Sequence, residues 1–250
     1  MDEINKADLK ILTTIRAKFK KGIVDYQLID NNDHILIGLS GGKDSLALVQ
    51  LLGERMRIFV PKFKVTAAHI SVENISYQSD LDYLRQYCEQ YNIPFVHKTT
   101  GFDMEQDTTK STCFLCSWHR RKALFDLASE LGCTKLALGH HLDDIVETFL
   151  LNLVYQGATA SMPAKLKMDK FEMTIIRPLC LLTEKEMKEL ERIGNFQQQI
   201  KNCPYEKESS RRDAKELITT LEKWNPEVRQ SLWAAMQNIK TDYLPRKTSP

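Results

Sequence analysis

Gly38-Leu39-Ser40-Gly41-Gly42-Lys43-Asp44-Ser45 follows the run His34-Ile35-Leu36-Ile37 and leads into Leu46-Ala47-Leu48-Val49. An apolar β-branched run, a glycine pair carrying a lysine and a long helical pattern predict a strand, a phosphate-cradling turn and a helix N-terminus. Gly41 and Gly42 lack Cβ atoms, so the backbone can take positive φ and bring N–H groups close to an oxyanion, while the following helix leaves its first N–H groups unpaired. Lys43 adds a mobile positive charge, and Ser40 and Ser45 offer hydroxyls. Asp44, beside so many donors, is expected to orient the lysine or to hold Mg²⁺ against the phosphates. The spacing is not that of a Walker A loop, which places four residues between its first glycine and Gly-Lys-[Ser/Thr].

The 250-residue chain is long enough to bury a real core, and its 42% hydrophobic and 27% charged residues are ordinary for a water-soluble protein. Its apolar runs are short and broken by charge, which argues against a membrane span. Met1-Asp2-Glu3-Ile4-Asn5-Lys6 has no hydrophobic signal core, so a cytoplasmic protein is expected. A net charge of +2 neither demands nor excludes nucleic acid, so any RNA surface must be a local basic patch.

Outward from the loop, strands and helices alternate. Helical spacing of Leu9, Leu12, Ile15 and Phe19 predicts an amphipathic helix over 4–22, ending near Gly22. Strands are expected at 34–39, 64–70, 93–97 and 135–138, and helices at 44–59 and 76–91. This order reads as an α/β fold, a doubly wound, mainly parallel sheet covered on both faces, with ligands at the carboxyl ends of the strands. Ala68 and His69 would then wall an adenine or ribose, although His69 could equally be a buried, hydrogen-bonded histidine. Lys165 to Met168 and Phe171 to Arg177 alternate around Asp169-Lys170 as a hairpin would. Thr183-Glu184-Lys185-Glu186 is a capping box, and two further helices are expected over 208–222 and 226–240. The division expected along the chain is a helical segment at 1–30, the nucleotide-binding domain at 31–182 and a helical region at 183–250.

Three of the six cysteines, Cys88, Cys133 and Cys180, sit in apolar patterns and read as core. The other three, Cys113, Cys116 and Cys203, are expected in polar loops. Cys113-Phe114-Leu115-Cys116 precedes Trp118, His119, Arg120, Arg121 and Lys122 and a helix running to about Leu131. Thiolates near a helix start and several cations are stabilised, and thiolates are metal ligands. Three of them can hold three irons of a [4Fe-4S] cluster and leave the fourth iron open. A zinc site with His119 as fourth ligand is the alternative. Gly139-His140-His141-Leu142-Asp143-Asp144 follows the fourth strand: Gly139 ends it, and the acids open a helix.

The loop at 40–45, the Cys-x-x-Cys with paired basic residues at 113–121, Leu-Gly-His-His-Leu-Asp-Asp at 138–144, Ile-Arg-Pro-Leu at 176–179 and the Asn-Cys-Pro-Tyr cysteine together resemble the TtcA/TtuA family of tRNA thiolation enzymes, within the PP-loop ATP pyrophosphatases. The likeness is nearest to the tRNA 2-thiocytidine synthetases and runs over nearly the whole chain. It implies an ATP-dependent sulfurtransferase that adenylates the C2 oxygen of a tRNA pyrimidine, cytidine 32 of the anticodon loop, and replaces it with sulfur. ATP, Mg²⁺ and a [4Fe-4S] cluster are the implied cofactors. The implied partners are tRNA and a sulfur donor, either a cysteine desulfurase or sulfide, with a homodimer as the assembly it allows. Carried over by position, Ser40, Gly41, Gly42, Lys43, Asp44, Ser45, Ala68, His69 and Gly139 bind ATP; Lys43, Arg120 and Asp144 support adenylation, the last two also contacting ATP. Cys113, Cys116 and Cys203 hold the cluster. A PP-loop sulfur transferase or desulfurase acting on a small molecule or another nucleotide, and a non-catalytic nucleotide-sensing iron–sulfur or zinc protein, are the competing expectations.

Overall fold

A computed structural model describes residues 5–58, 60–73, 79–102, 111–169, 171–197, 199 and 211–245. The described chain runs α1 (Lys6–Asp25), β1 (His34–Gly38), α2 (Lys43–Met56), β2 (Lys64–Val72), α3 (Leu81–Glu89), β3 (Phe95–Thr100), α4 (Thr112–Glu130), β4 (Lys135–Ala137), α5 (Leu142–Gln156), β5 (Lys165–Lys167), β6 (Thr174–Ile176), α6 (Glu184–Gly194), α7 (Arg211–Glu222) and α8 (Val228–Gln237). It divides into two compact units, the first comprising residues 1–141 and 163–207, the second 142–162 and 208–250.

The first unit holds a six-stranded sheet of order β3-β2-β1-β4-β6-β5. All neighbouring pairs are parallel except β5 and β6, which form the expected antiparallel hairpin. The α/β parallel-sheet expectation therefore holds. Ile35, Leu36 and Ile37 of β1 are each 0% exposed, so both faces of the central strand are covered. Leu36, Ala68, Ile70 and Leu136 pack with Ala123, Phe125, Leu127 and Ala128 of α4 in one apolar cluster. A continuous apolar run, rather than alternation, is what a strand buried on both sides needs.

Four local expectations are corrected. α1 does not stop at Gly22 but runs to Asp25. Gly22 is instead buried within it, where an added Cβ would lie 3.4 Å from Cys180 Sγ and from the Pro178 carbonyl. Leu9, assigned to the apolar stripe, is 53% exposed, and Ile23 takes the inner position. The third strand lies at 95–100 rather than 93–97, because its ladder to β2 pairs Phe95 with Ala67 and Thr100 with Val72. The helix expected after Lys122 starts at Thr112, capped by Ser111, whose side chain accepts from the Phe114 N–H.

The second unit is a helical cluster of α5, α7 and α8. Leu142, Val146 and Leu150 of α5 meet Ile218 of α7 and Val228 of α8. Asp143 is buried there and accepts from Arg229 Nε at 2.6 Å, and buried Glu147 faces Lys215 Nζ at 3.8 Å. Arg229 is also bound by Glu222. These two acids of the Gly-His-His motif region are thus engaged in holding the helices together.

Candidate active site at the carboxyl edge of the sheet

The loop after β1 takes the tight turn that its glycines permit. Gly41 takes φ +82°, and Gly42 caps α2 with extended backbone and no side-chain capping bond, so no capping side chain covers this helix N-terminus. Ser45 anchors the turn by donating from Oγ to the Gly42 carbonyl at 2.8 Å, and the Gly42 N–H donates to Ser40 Oγ at 3.3 Å. The Leu39 N–H bonds the Ala68 carbonyl at 2.8 Å, which ties the loop to the middle of β2.

Both flanking segments crowd the loop. A Cβ on Gly41 would meet Gln199 Cγ at 2.9 Å, and Gln199 is itself fixed by accepting from the Asp80 N–H at 2.7 Å. A Cβ on Gly139 would lie 3.1 Å from the backbone of Asp44 and Ser45. Gly139 is therefore required by the protein's own backbone, which the end of β4 touches.

The charged groups converge on Lys43. Its Nζ lies 3.2 Å from an Asp44 carboxylate oxygen and 3.2 Å from Glu184 Oε2 at the first position of α6. His141 Nε2 lies 2.9 Å from the same Glu184 oxygen and 4.0 Å from Asp44 Oδ1. The hydrogen bond from His141 and the charge of Lys43 outweigh burial and hold the Glu184 carboxyl at about 2. Burial pushes the Asp44 carboxyl up despite Lys43 and His141. It also works against the Lys43 ammonium, but Asp44 and Glu184 prevail and raise it. Two carboxylates and an imidazole within 4.8 Å of one another are a donor set that fits a divalent cation, with Asp44 and Glu184 supplying hard oxygen ligands.

His69 is 3% exposed, its Nδ1 lies 2.7 Å from the Leu39 carbonyl, and its ring stacks on His97 at 6.0 Å. Burial lowers its basicity, with the charge of nearby Arg120 a smaller contribution. His69 is thus buried and hydrogen-bonded to the residue that precedes the glycine loop. Arg120 lies half-buried on α4, and Asp144 lies on the first turn of α5 in the second unit.

Cys113 and Cys116 stand on the first turns of α4 rather than in a loop, three residues apart and hence on one side of the helix. Cys113 is exposed, and half-buried Cys116 packs against Val72, Phe102 and Leu115. A pair of thiols at a helix start suits two corners of a cluster. His119 stacks on Phe102 at 5.5 Å, and among the described residues it forms no ligand group with the two cysteines. Cys203, assigned as the third ligand, lies outside the described residues. Cys88, Cys133 and Cys180 are buried, and burial pushes their thiols up to about 12, 11 and 12.

Comparison with known proteins places this site in context. A PP-loop domain model matches residues 11–215. The tRNA-cytidine(32) 2-sulfurtransferase of Bdellovibrio bacteriovorus is 36% identical, covering 95% of this chain and 92% of its own length. The chain belongs to the tRNA-cytidine(32) 2-sulfurtransferase family. Another member, from Geobacter sulfurreducens, is 36% identical over 92% of this chain and 91% of its own. Among solved structures, the U34-tRNA thiolase NcsA of Methanococcus maripaludis with its [4Fe-4S] cluster superposes with a TM-score of 0.78 at 26% identity, covering 95% of this chain and 82% of that one.

Sequence reasoning in this family missed Glu184 and Gln199 as neighbours of the loop. Glu184 carried only the signature of a helix start, and that local role is real: Thr183 and Glu186 form the capping box. No local signal announces that this helix start faces Lys43.

Proposed function

We propose that the protein is an ATP-dependent tRNA sulfurtransferase that adenylates the C2 oxygen of cytidine 32 and exchanges it for sulfur, releasing pyrophosphate and AMP. The observation that carries the reading is the Lys43 ammonium, held at the N-terminus of α2 above a glycine turn, in a chain similar over nearly its whole length to tRNA-cytidine(32) 2-sulfurtransferases. The loop backbone of Ser40 to Ser45 binds the β- and γ-phosphates, and Lys43 neutralises charge as the α–β bond breaks. Asp44, with Glu184 beside it, holds Mg²⁺. Ala68, His69 and Gly139 line the nucleotide edge of the sheet, and the family likeness carries Arg120 and Asp144 to the adenylation step. Cys113, Cys116 and Cys203 are the ligands for a [4Fe-4S] cluster, which when bound supplies an iron with a position open to a sulfur ligand. Cytosine in a stem presents no accessible C2, so an unpaired loop nucleotide is the fitting substrate.

A cysteine desulfurase or free sulfide is the donor in this reading, the working compartment is the cytoplasm and a homodimer is the assembly. No helix among the described residues is long and apolar enough to cross a membrane. The test is mass spectrometry of tRNA nucleosides from a deletion strain. Loss of 2-thiocytidine, restored by the wild-type gene but not by Lys43→Ala or Cys116→Ala, is expected; unchanged 2-thiocytidine overturns the reading.

A further inference from the structure

Arg177, in the Ile-Arg-Pro-Leu segment, is 6% exposed, yet no acidic side chain among the described residues pairs with it. Its Nε donates to His140 Nδ1 at 3.3 Å and its Nη1 to the Pro163 carbonyl at 2.6 Å. A guanidinium has five N–H donors, so three have no protein acceptor among the described residues. Burial lowers its basicity to about 10, and the charge of Arg121 pushes the same way, so the surroundings disfavour its charge instead of balancing it. A buried cation without an anion is costly unless a ligand supplies the counter-charge.

Its place in the fold says where that ligand comes from. Arg177 follows β6 and His140 follows β4, and the Leu138 N–H bonds the Ile176 carbonyl at 3.0 Å, aligning these two strand ends. β4 neighbours β1, whose end leads into the glycine loop, so Arg177 stands two strand spacings, about 10 Å, from the start of that loop. It lies on the side away from β2, where the adenosine is placed above. A planar fork of N–H donors suits the paired oxygens of a phosphate.

We propose that Arg177, oriented by His140 and supported by Arg121, is a phosphate-oxyanion site at the carboxyl edge of the sheet, taking a phosphate of the nucleotide or a backbone phosphate of tRNA. The proposal rests on the function given above. Its test uses full-length protein, purified anaerobically, with two binding measurements on wild type and Arg177→Gln: inorganic pyrophosphate by thermal shift, and tRNA by anisotropy across a salt series. A tenfold or greater loss of pyrophosphate affinity assigns the site to the nucleotide. A log K against log salt slope shallower by about one assigns it to tRNA. Arg177→Gln that binds both as wild type does, whatever its melting temperature, overturns the inference and leaves the function standing. Wild-type protein that binds neither brings down both. Should Arg177→Gln fail to fold, Arg177→Lys keeps the charge without the fork; a threefold or greater loss in either measurement supports the site, and equal binding in both overturns it.

Discussion

Lys43 Nζ and Glu184 Oε2 lie 3.2 Å apart, joining the helix after the first strand to the helix after the last. Glu184 also takes His141 Nε2 at 2.9 Å, so one carboxylate aligns the loop lysine and the histidine after β4. Lys43 is thus held beside the glycine loop by charge.

Removing the ammonium tests its part in the chemistry. Lys43→Ala is expected to lower ATP-to-AMP turnover on the order of 10²–10³-fold, as loss of one preorganised electrostatic contact does. Anaerobically purified Lys43→Ala should keep its iron and labile sulfide, because Cys113 and Cys116 stand on α4. Iron analysis beside a pyrophosphate-release assay separates the two effects.

Glu184 gives a pH signature. Its folded carboxyl titrates at about 2 against an ordinary 4.5, so its stabilising contribution is full above 4.5 and is lost as pH falls from 4.5 through 2. Melting curves of wild type and Glu184→Gln should differ most near neutral pH and converge across that window. The variant should also lose roughly tenfold in kcat/KM for ATP at neutral pH, since Lys43 is less firmly placed.

Gly139→Ala puts a methyl group 3.1 Å from the backbone of Asp44 and Ser45. Overpacking of this kind costs about 1–3 kcal/mol, and here the loop itself must move. Denaturant titration should show that loss, and the KM for ATP should rise with it.

Thiol accessibility should divide the cysteines. Cys113 is exposed and Cys116 half-buried, whereas Cys88 and Cys180 are 0% exposed with thiols pushed up to about 12. In metal-free protein, peptide mapping after brief alkylation should find Cys113 and Cys116 modified and the buried pair modified only on unfolding, since burial both shields Cys88 and Cys180 and suppresses their thiolates. Cys116→Ala should abolish iron binding, and Cys88→Ala should leave it intact.

The glycine loop, the parallel α/β sheet and the paired cysteines were legible in the sequence because each rests on short-range chemistry. Glycines permit one turn, a buried strand needs an apolar run, and a thiol pair needs only its own spacing. Local patterns misled where a residue's partner was distant: Gly22 looked like a helix stop and is a packing contact with Pro178 and Cys180. Gly139 reads locally as a strand end, and only the fold shows that it also makes room for the backbone of Asp44 and Ser45.

By itself, then, the sequence determined where the main strands and helices fall and where the glycine turn between β1 and α2 lies. Only the tertiary structure decided that Glu184 reaches Lys43 and that Arg177 is buried without an acidic partner among the described residues. The physical reason is that pairing and desolvation depend on through-space distance, which the order of strands in the sheet sets and local sequence spacing does not.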